Sequence, residues 1–193
     1  MPGPKILVIP GSLRSSSHNG RLAALAAKEL ALADADVTRI SLVDYPLPLF
    51  DAEATNEAAL PQHAIQLQRM LEAHHGVFIT APEYSASVTP LLKNAIDWMS
   101  RARGRNEPAY AAFKDRVFAI GSASSDSGGA LHSLMALRQI LELGCGALVI
   151  PEQIAVANAQ DEFDDMDNLR SEYYAGALKA LVRRLIDLAS AMA

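Results

Sequence analysis

Short apolar runs alternate along this chain with longer segments of helical periodicity, and this alternation limits the possible folds more than any other feature. The runs at 5–10, 76–81 and 147–151 are apolar at nearly every position, as in strands that are buried on both faces. Helices between such strands favour a parallel sheet with a helical layer on each side. The sequence therefore predicts an α/β fold.

The complete pattern contains five strands and five helices. The predicted strands span 5–10, 36–42, 76–81, 116–121 and 147–151. The predicted helices span 19–33, 61–74, 89–101, 129–143 and 167–191. Thr89 is expected to cap the third helix, with Pro90 at its first position. The segment 45–50 contains two prolines, so a loop is expected there.

The length and charge of the chain restrict its partners. With 193 residues, half of them apolar, the chain is expected to form a single domain over residues 1–193. A net charge of −5 disfavours a nucleic-acid partner, which would require clustered Lys and Arg. No segment has the roughly 20 apolar residues of a membrane span, and none resembles a signal peptide. A cytoplasmic protein without a membrane partner is therefore expected.

Cysteine and histidine give little reason to expect a metal or a reactive thiol. Cys145 is the only cysteine, and its setting between two glycines favours a buried residue in a tight turn. His74, His75 and His132 lack ligand spacing with any Asp, Glu or Cys, so no metal site is predicted. The chain also lacks the G-x-S-x-G motif of a serine hydrolase.

The loop after the first predicted strand is rich in hydrogen-bond donors. Parallel sheets bind ligands at the carboxyl ends of their strands, and the free N–H groups of a helix N-terminus suit a phosphate. The donors in this loop are Ser12, Arg14, Ser15, Ser16, Ser17 and Asn19. We expect a phosphate site here, although a polar loop with an ordinary helix cap has a similar composition.

Two further loops follow the third and fourth predicted strands. The segment 80–98 contains Tyr84, and the segment 122–129 consists mostly of Ser and Gly. Such loops can close around a flat ring and offer backbone groups to its polar edge, but each loop alone could equally be a simple turn. Their position beside the predicted phosphate site favours a nucleotide-like ligand.

Three motifs resemble those of the NADPH-dependent FMN reductase family, which has a flavodoxin-like fold and includes flavin, quinone, azo-dye and chromate reductases. Gly11-Ser12-Leu13-Arg14, with Ser17 and Asn19, resembles the family's GSxRxxSxN phosphate loop. Pro82-Glu83-Tyr84 and the later LKNAIDW at 92–98 resemble its PEYN…LKNAIDW segment. The segment 122–129 resembles its Ser/Gly loop. The resemblance spans roughly residues 5–150 and implies the strand order 2-1-3-4-5, with helices on both faces.

The resemblance also implies a set of FMN-binding residues. The phosphate would be held by Ser12, Arg14, Ser17 and Asn19, while Pro82 to Ser85 would line the isoalloxazine largely through backbone groups. Ser122 and Gly128-Gly129 would close the other side. The full expected set is Gly11, Ser12, Leu13, Arg14, Ser17, His18, Asn19, Pro82, Glu83, Tyr84, Ser85, Ser122, Gly128 and Gly129. Two positions depart from the family pattern: Ser85 replaces the usual Asn, and Thr89-Pro90 replaces the usual Pro-Gly.

The activity implied by the resemblance is a ping-pong transfer of hydride from NAD(P)H to bound FMN and then to an acceptor. Because the cofactor carries this chemistry, no catalytic side chain is expected. A flavodoxin-like electron carrier, or a flavin-binding regulatory protein without NAD(P)H turnover, remains an alternative. The family commonly dimerises, so a homodimer or homotetramer is expected. Ile96 and Trp98 are interpreted as subunit contacts, with packing in the core as the alternative. Asn94 is interpreted as a tie between loop and helix.

Overall fold

The computed structural model describes residues 3–55, 60–102 and 108–193. The strands are β1 (Lys5–Pro10), β2 (Asp36–Arg39), β3 (Gly76–Thr80), β4 (Glu83–Tyr84), β5 (Ser87–Val88), β6 (Val117–Ala123) and β7 (Leu148–Val156). The helices are α1 (His18–Leu32), α2 (Gln62–Glu72), α3 (Pro90–Arg101), α4 (Leu131–Gln139), α5 (Ala159–Glu162) and α6 (Glu172–Ser190). None of the helices in these ranges is both long and apolar enough to cross a membrane.

Five of the strands form one parallel sheet in the order β2-β1-β3-β6-β7. Counting only these five, the order is 2-1-3-4-5, which confirms the predicted flavodoxin-like α/β fold. The order reverses between β1 and β3, and such a switch point leaves a crevice at the carboxyl ends of the strands. The loops after β1, β3 and β6 all lie at that edge of the sheet.

A hydrophobic core lies on each face of the sheet. On one face, Leu67 of α2 and Ile96 of α3 pack with alternate strand residues such as Ile79. On the other face, Leu22 of α1 and Leu185 of α6 pack with the remaining strand residues. All five residues of β3 are buried. The sheet is therefore covered on both sides, as the continuous apolar runs predict.

The side chains of α3 fix the loop that precedes α2. The Asn94 amide accepts a hydrogen bond from the Phe50 N–H at 2.7 Å and donates one to the Pro48 carbonyl at 2.9 Å. Trp98 Nε1 donates to the same carbonyl at 2.8 Å. The interpretation of Asn94 as a tie is confirmed. Ile96 and Trp98 are each only 1% exposed, so their interpretation as subunit contacts is wrong: both pack inside the chain.

Several element boundaries differ from the prediction. The strand β7 continues past Pro151 to Val156 because a register shift in its pairing with β6, between Phe118 and Ile120, bypasses the proline at this edge of the sheet. The helix α6 begins at Glu172 rather than at residue 167, because Asp164 accepts hydrogen bonds from downstream N–H groups and forms a turn first. Burial raises the pKa of the Cys145 thiol to about 11, with a smaller contribution from Asp97, so this cysteine is poorly suited to nucleophilic chemistry.

Candidate functional site

An open cleft of about 200 Å³ lies where the loops after β1, β3 and β6 meet. It is lined by Ser12, Arg14, Ser16, Ser17, His18, Asn19, Pro82, Glu83, Tyr84, Ala123, Ser124 and Ser125. The structure thus brings together the three loops that the sequence indicated, at the switch point of the sheet.

The N-terminus of α1 supplies free donors to this cleft. Ser17 caps the helix, and its Oγ accepts a hydrogen bond from the Gly20 N–H at 3.4 Å. Within the described residues, the N–H groups of His18 and Asn19 have no hydrogen-bond partner. The exposed guanidinium of Arg14 also lacks a partner there. Free N–H groups, the helix dipole and an unpaired cation together suit a phosphate.

Gly11 allows the end of β1 to pass close to β3. Its N–H donates to the Thr80 carbonyl at 2.8 Å. A Cβ at this position would lie 2.8 Å from that carbonyl oxygen and 3.0 Å from the Leu92 side chain. The Gly11 carbonyl accepts a hydrogen bond from Thr89, which also caps α3 as predicted. The contribution of Gly11 is therefore to shape the loop, and it does not line the cleft.

Asn19 connects the loop after β1 to the loop after β6. Its amide nitrogen donates to the Ala123 carbonyl at 2.8 Å, and its amide oxygen accepts from the Ala123 N–H at 3.1 Å. The side chain is buried. Both polar atoms of the amide are thus used inside the protein, and the group that Asn19 can offer to a phosphate is its backbone N–H.

His18 forms part of the cleft wall as a neutral imidazole. Its ring stacks on Phe163 with 6.4 Å between centroids, and its Nε2 lies 3.4 Å from Ser125 Oγ. Burial lowers the pKa of the imidazole below its usual value, and Arg21 and Arg14 lower it further. The Nδ1 atom is buried and has no hydrogen-bond partner in the described part of the chain. It can therefore still accept or donate one hydrogen bond.

The carboxylate of Glu83 is occupied by the start of α4. Its two oxygens accept from the Ser133 N–H and from His132 Nδ1, each at 3.1 Å. The residue before α4 is Ala130, which has no capping side chain, so Glu83 takes the capping role from a distant loop. Ser133 Oγ in turn donates to the Ala81 carbonyl at 2.8 Å. These bonds fasten the loop after β3 to the first turn of α4.

The strands β4 and β5 form a short antiparallel hairpin with a two-residue turn, which the sequence did not predict. Ser85 and Ala86 make the turn, with φ angles of 51° and 58°. Two central residues with positive φ are typical of a type I′ turn, which favours Asn followed by Gly. The family's usual Asn therefore matches a backbone requirement at position 85. The hairpin presents Tyr84, which is 53% exposed, to the cleft.

Three residues expected to close the cleft, Ser122, Gly128 and Gly129, do not line it. Ser122 is fully buried and its Oγ donates to the Gly129 carbonyl at 2.6 Å. At Gly129, φ is 61° and a Cβ would lie 3.0 Å from the Ala155 backbone. Neither residue lines the cleft, and neither does Gly128. Leu13 and Ser85 are also outside it.

Four lining residues are absent from the expected FMN-binding set: Ser16, Ala123, Ser124 and Ser125. Ser16 is expected only as a donor in the loop after β1. All four lie inside the polar loops that the sequence indicated. The missing signal was the strand boundary: β6 continues to Ala123, two residues beyond the predicted end, and this moves the start of its loop onto Ser124 and Ser125.

The residues of the cleft fit a ligand with one phosphate and a flat polar ring. The phosphate would meet the free N–H groups at α1 and the Arg14 guanidinium, while the ring would lie between Pro82–Tyr84 and Ser124–Ser125. The Glu83 carboxylate, which would repel an anion, is already satisfied by α4. FMN has this combination of groups, and the buried His18 Nδ1 beside the cleft is left without a hydrogen-bond partner in the described part of the chain.

Comparisons with known proteins point the same way. A family model described as NADPH-dependent FMN reductase matches residues 4–161. The chain is 32% identical over 190 residues to an NAD(P)H-dependent FMN reductase of Pseudomonas aeruginosa, an alignment that covers 94% of this chain and 96% of the relative. It is 39% identical over 98 residues to the quinone reductase of Escherichia coli K12, where the match spans only 50% of each protein.

Among solved structures, the chain is similar to FerB, a flavoenzyme NAD(P)H:(acceptor) oxidoreductase from Paracoccus denitrificans. The TM-score is 0.77 and the identity 25%, with 98% of each chain covered. RosB, solved with a bound derivative of riboflavin 5′-phosphate, has a TM-score of 0.76 at 14% identity and covers 98% of this chain and 80% of that one. At this identity, the second similarity concerns the fold alone.

Proposed function

The chain belongs to the NADPH-dependent FMN reductase family, and on this premise we propose that it binds FMN in the cleft and oxidises NAD(P)H. Small acceptors such as free FMN, a quinone, an azo compound or chromate would then receive the electrons. The names of the relatives, which include quinone reductases and FMN reductases, support this acceptor class. When bound, FMN supplies the hydride-accepting ring.

The observation that carries the proposal is the Arg14 guanidinium beside the N–H groups of His18 and Asn19, all without a hydrogen-bond partner among the described residues. These groups would hold the phosphate with charge-assisted hydrogen bonds. Ser12 and Ser17 lie next to them in the same loop. Because the donors belong to a helix end and a capped turn, they are already oriented before the ligand arrives, and this reduces the entropic cost of binding.

The remaining residues would position the ring. Pro82, Glu83 and Tyr84 would lie on one side of the ring, and Ser124 and Ser125 on the other. Glu83 would act through its backbone, since its carboxylate caps α4. The proposed reaction requires no general acid or base from these side chains, because the cofactor would carry the chemistry.

The proposal includes the setting of the protein. We infer one domain over residues 1–193, in the cytoplasm, where NAD(P)H is supplied. A homodimer or homotetramer is supported by an exposed apolar group on and beside α4: Leu131, Met135 and Tyr84 are 44%, 63% and 53% exposed. Leu131 and Met135 are four positions apart and share one helix face. Light scattering on the purified protein would give the mass of the assembly.

The activity can be tested with the purified protein. We expect a visible flavin spectrum, and rapid bleaching when NADPH or NADH is added without oxygen. Adding a quinone should restore the colour. Bound flavin that resists both nucleotides would contradict the reductase and favour an electron carrier. A protein that does not bind FMN at all would contradict the site itself.

A further inference from the structure

A second and larger cleft, of about 900 Å³, lies on the other side of the loop that follows β1. This second cleft runs between that loop, the first turns of α1 and the segment after β2. Ser12 and Arg14 line both clefts, so the two spaces are separated only by this loop. A ligand in the second cleft would therefore lie next to the proposed flavin phosphate.

The second cleft contains two unpaired cations. Arg39 is the last residue of β2, so it stands at the same carboxyl edge of the sheet as the flavin cleft. Its side chain is exposed, and neither it nor Arg14 has a hydrogen-bond or ion-pair partner among the described residues. Arg21, in contrast, is paired with Asp167 at 2.5 Å. One further carboxylate, that of Asp44, lines the cleft.

The walls of the second cleft also suit an aromatic base. Tyr45 is half-buried, and its ring is held edge-on against His63 with 6.0 Å between centroids. Ile40 and Val43 add apolar surface beside it. A planar base could pack against these side chains while a phosphate on its ribose reaches a guanidinium.

We propose that the second cleft holds the adenosine end of the nicotinamide donor and that Arg39 recognises the 2′-phosphate of NADPH. This assignment rests on the proposed function, since it presupposes a nicotinamide donor. Similar proteins differ in the donor that their names give, from NADH to NAD(P)H, so the similarity alone does not decide the preference. In Rossmann folds, an acidic residue after the Gly-rich turn hydrogen-bonds the 2′-hydroxyl of the adenosine ribose of NAD. An arginine nearby accommodates the 2′-phosphate of NADP. Asp44 can accept a hydrogen bond from a remaining ribose hydroxyl.

The first test compares the two donors in the FMN-loaded enzyme. For Arg39→Gln we expect kcat/KM for NADPH to fall by about tenfold or more, and kcat/KM for NADH to change by less than about twofold. The matched control is Arg183→Gln, an exposed arginine on α6 far from the sheet edge, which should alter neither value. Equal losses for both donors, no loss for NADPH, or release of FMN from the Arg39 variant would overturn the assignment.

The second test does not depend on turnover. Calorimetry on the FMN-loaded protein should show 2′,5′-ADP binding at least about tenfold more tightly than 5′-AMP, and Arg39→Gln should abolish the difference. Equal affinity for the two nucleotides would overturn the assignment, and so would inorganic phosphate binding as tightly as 2′,5′-ADP. If neither NADH nor NADPH reduces the wild-type flavin, the proposed function fails, while this titration still reports on the second cleft.

Discussion

The two walls of the flavin cleft use their polar groups in opposite ways. In the first wall, residues 12–17 with the N-terminus of α1, the Arg14 guanidinium and two backbone N–H groups have no partner in the part of the chain that the structure describes. In the second wall, formed by residues 82–88 and 122–133, the side chains of Glu83, Ser122 and Ser133 are all bonded to the protein. The first wall therefore offers free donors to a ligand, whereas the polar side chains of the second wall stabilise its own conformation.

This difference separates two meanings of a site residue. A residue of the first wall should affect ligand affinity while leaving the unliganded fold intact. A residue of the second wall whose side chain is hydrogen-bonded within the protein should affect the fold, and the ligand only through the fold. Asn19 is the residue that best distinguishes the two kinds of effect. It belongs to the first wall in sequence, but its side chain is hydrogen-bonded to Ala123 in the second wall.

The largest effect is expected for Asn19→Ala. Removing the amide leaves the N–H and the carbonyl of Ala123 without partners in a buried setting, and each such loss costs about 1–3 kcal/mol. We expect the free energy of unfolding of the FMN-free protein to fall by about 3 kcal/mol in urea titrations. Ser16→Ala, an exposed lining residue, is the control and should change it by less than about 0.5 kcal/mol. Similar stability for both variants would contradict the assignment of Asn19 as a residue that stabilises the fold.

A smaller effect of the other kind is expected for Arg14→Ala. The unfolding free energy of the FMN-free protein should stay within about 0.5 kcal/mol of wild type, because the exposed guanidinium has no described partner. FMN should bind about 10 to 100 times more weakly, from loss of a charge-assisted contact worth about 1.5–3 kcal/mol. Arg14→Lys keeps the positive charge but loses the bidentate geometry of the guanidinium, so flavin fluorescence titration should give an intermediate FMN affinity. Unchanged FMN affinity in the alanine variant would remove Arg14 from the site.

The smallest effect concerns the hairpin of the second wall. Ser85→Asn combined with Ala86→Gly places the favoured residues of a type I′ turn where φ is already positive. This double change should stabilise the protein by about 0.5–1 kcal/mol in thermal unfolding. Ala86→Val is the opposite control, since a β-branched residue is strained at positive φ, and it should lower the melting temperature. Loss of stability in the double variant would mean that the turn has another conformation.

The sequence predicted the parts of the fold that depend on local pattern. Continuous apolar runs identified strands such as β1 and β3, and Thr89 with Pro90 marked the start of α3. The unpredicted parts depend on pairing between distant segments. The strand β7 continues past Pro151 because of its register with β6, and the start of α6 is delayed by the turn at Asp164.

The candidate site, like the fold, has features that follow from local pattern and features that depend on contacts between distant segments. The composition of the loops and the position after buried strands indicated the phosphate loop, the loop after β3 and the Ser/Gly loop, and the structure places residues of all three in one cleft. The sequence could not show that Glu83 caps α4, that Ser122 faces Gly129, or that Arg39 borders a second cleft. Each of these facts depends on which atoms meet across loops that are far apart in the chain.

The sequence by itself determined the layered α/β architecture, the sheet edge that carries the site and the kind of ligand to expect. These follow from periodicity and residue type, which are properties of each segment alone. Only the tertiary structure decided which polar groups are already satisfied and which remain free. A hydrogen bond between distant loops removes a donor or acceptor from binding, and no local pattern records whether that bond forms.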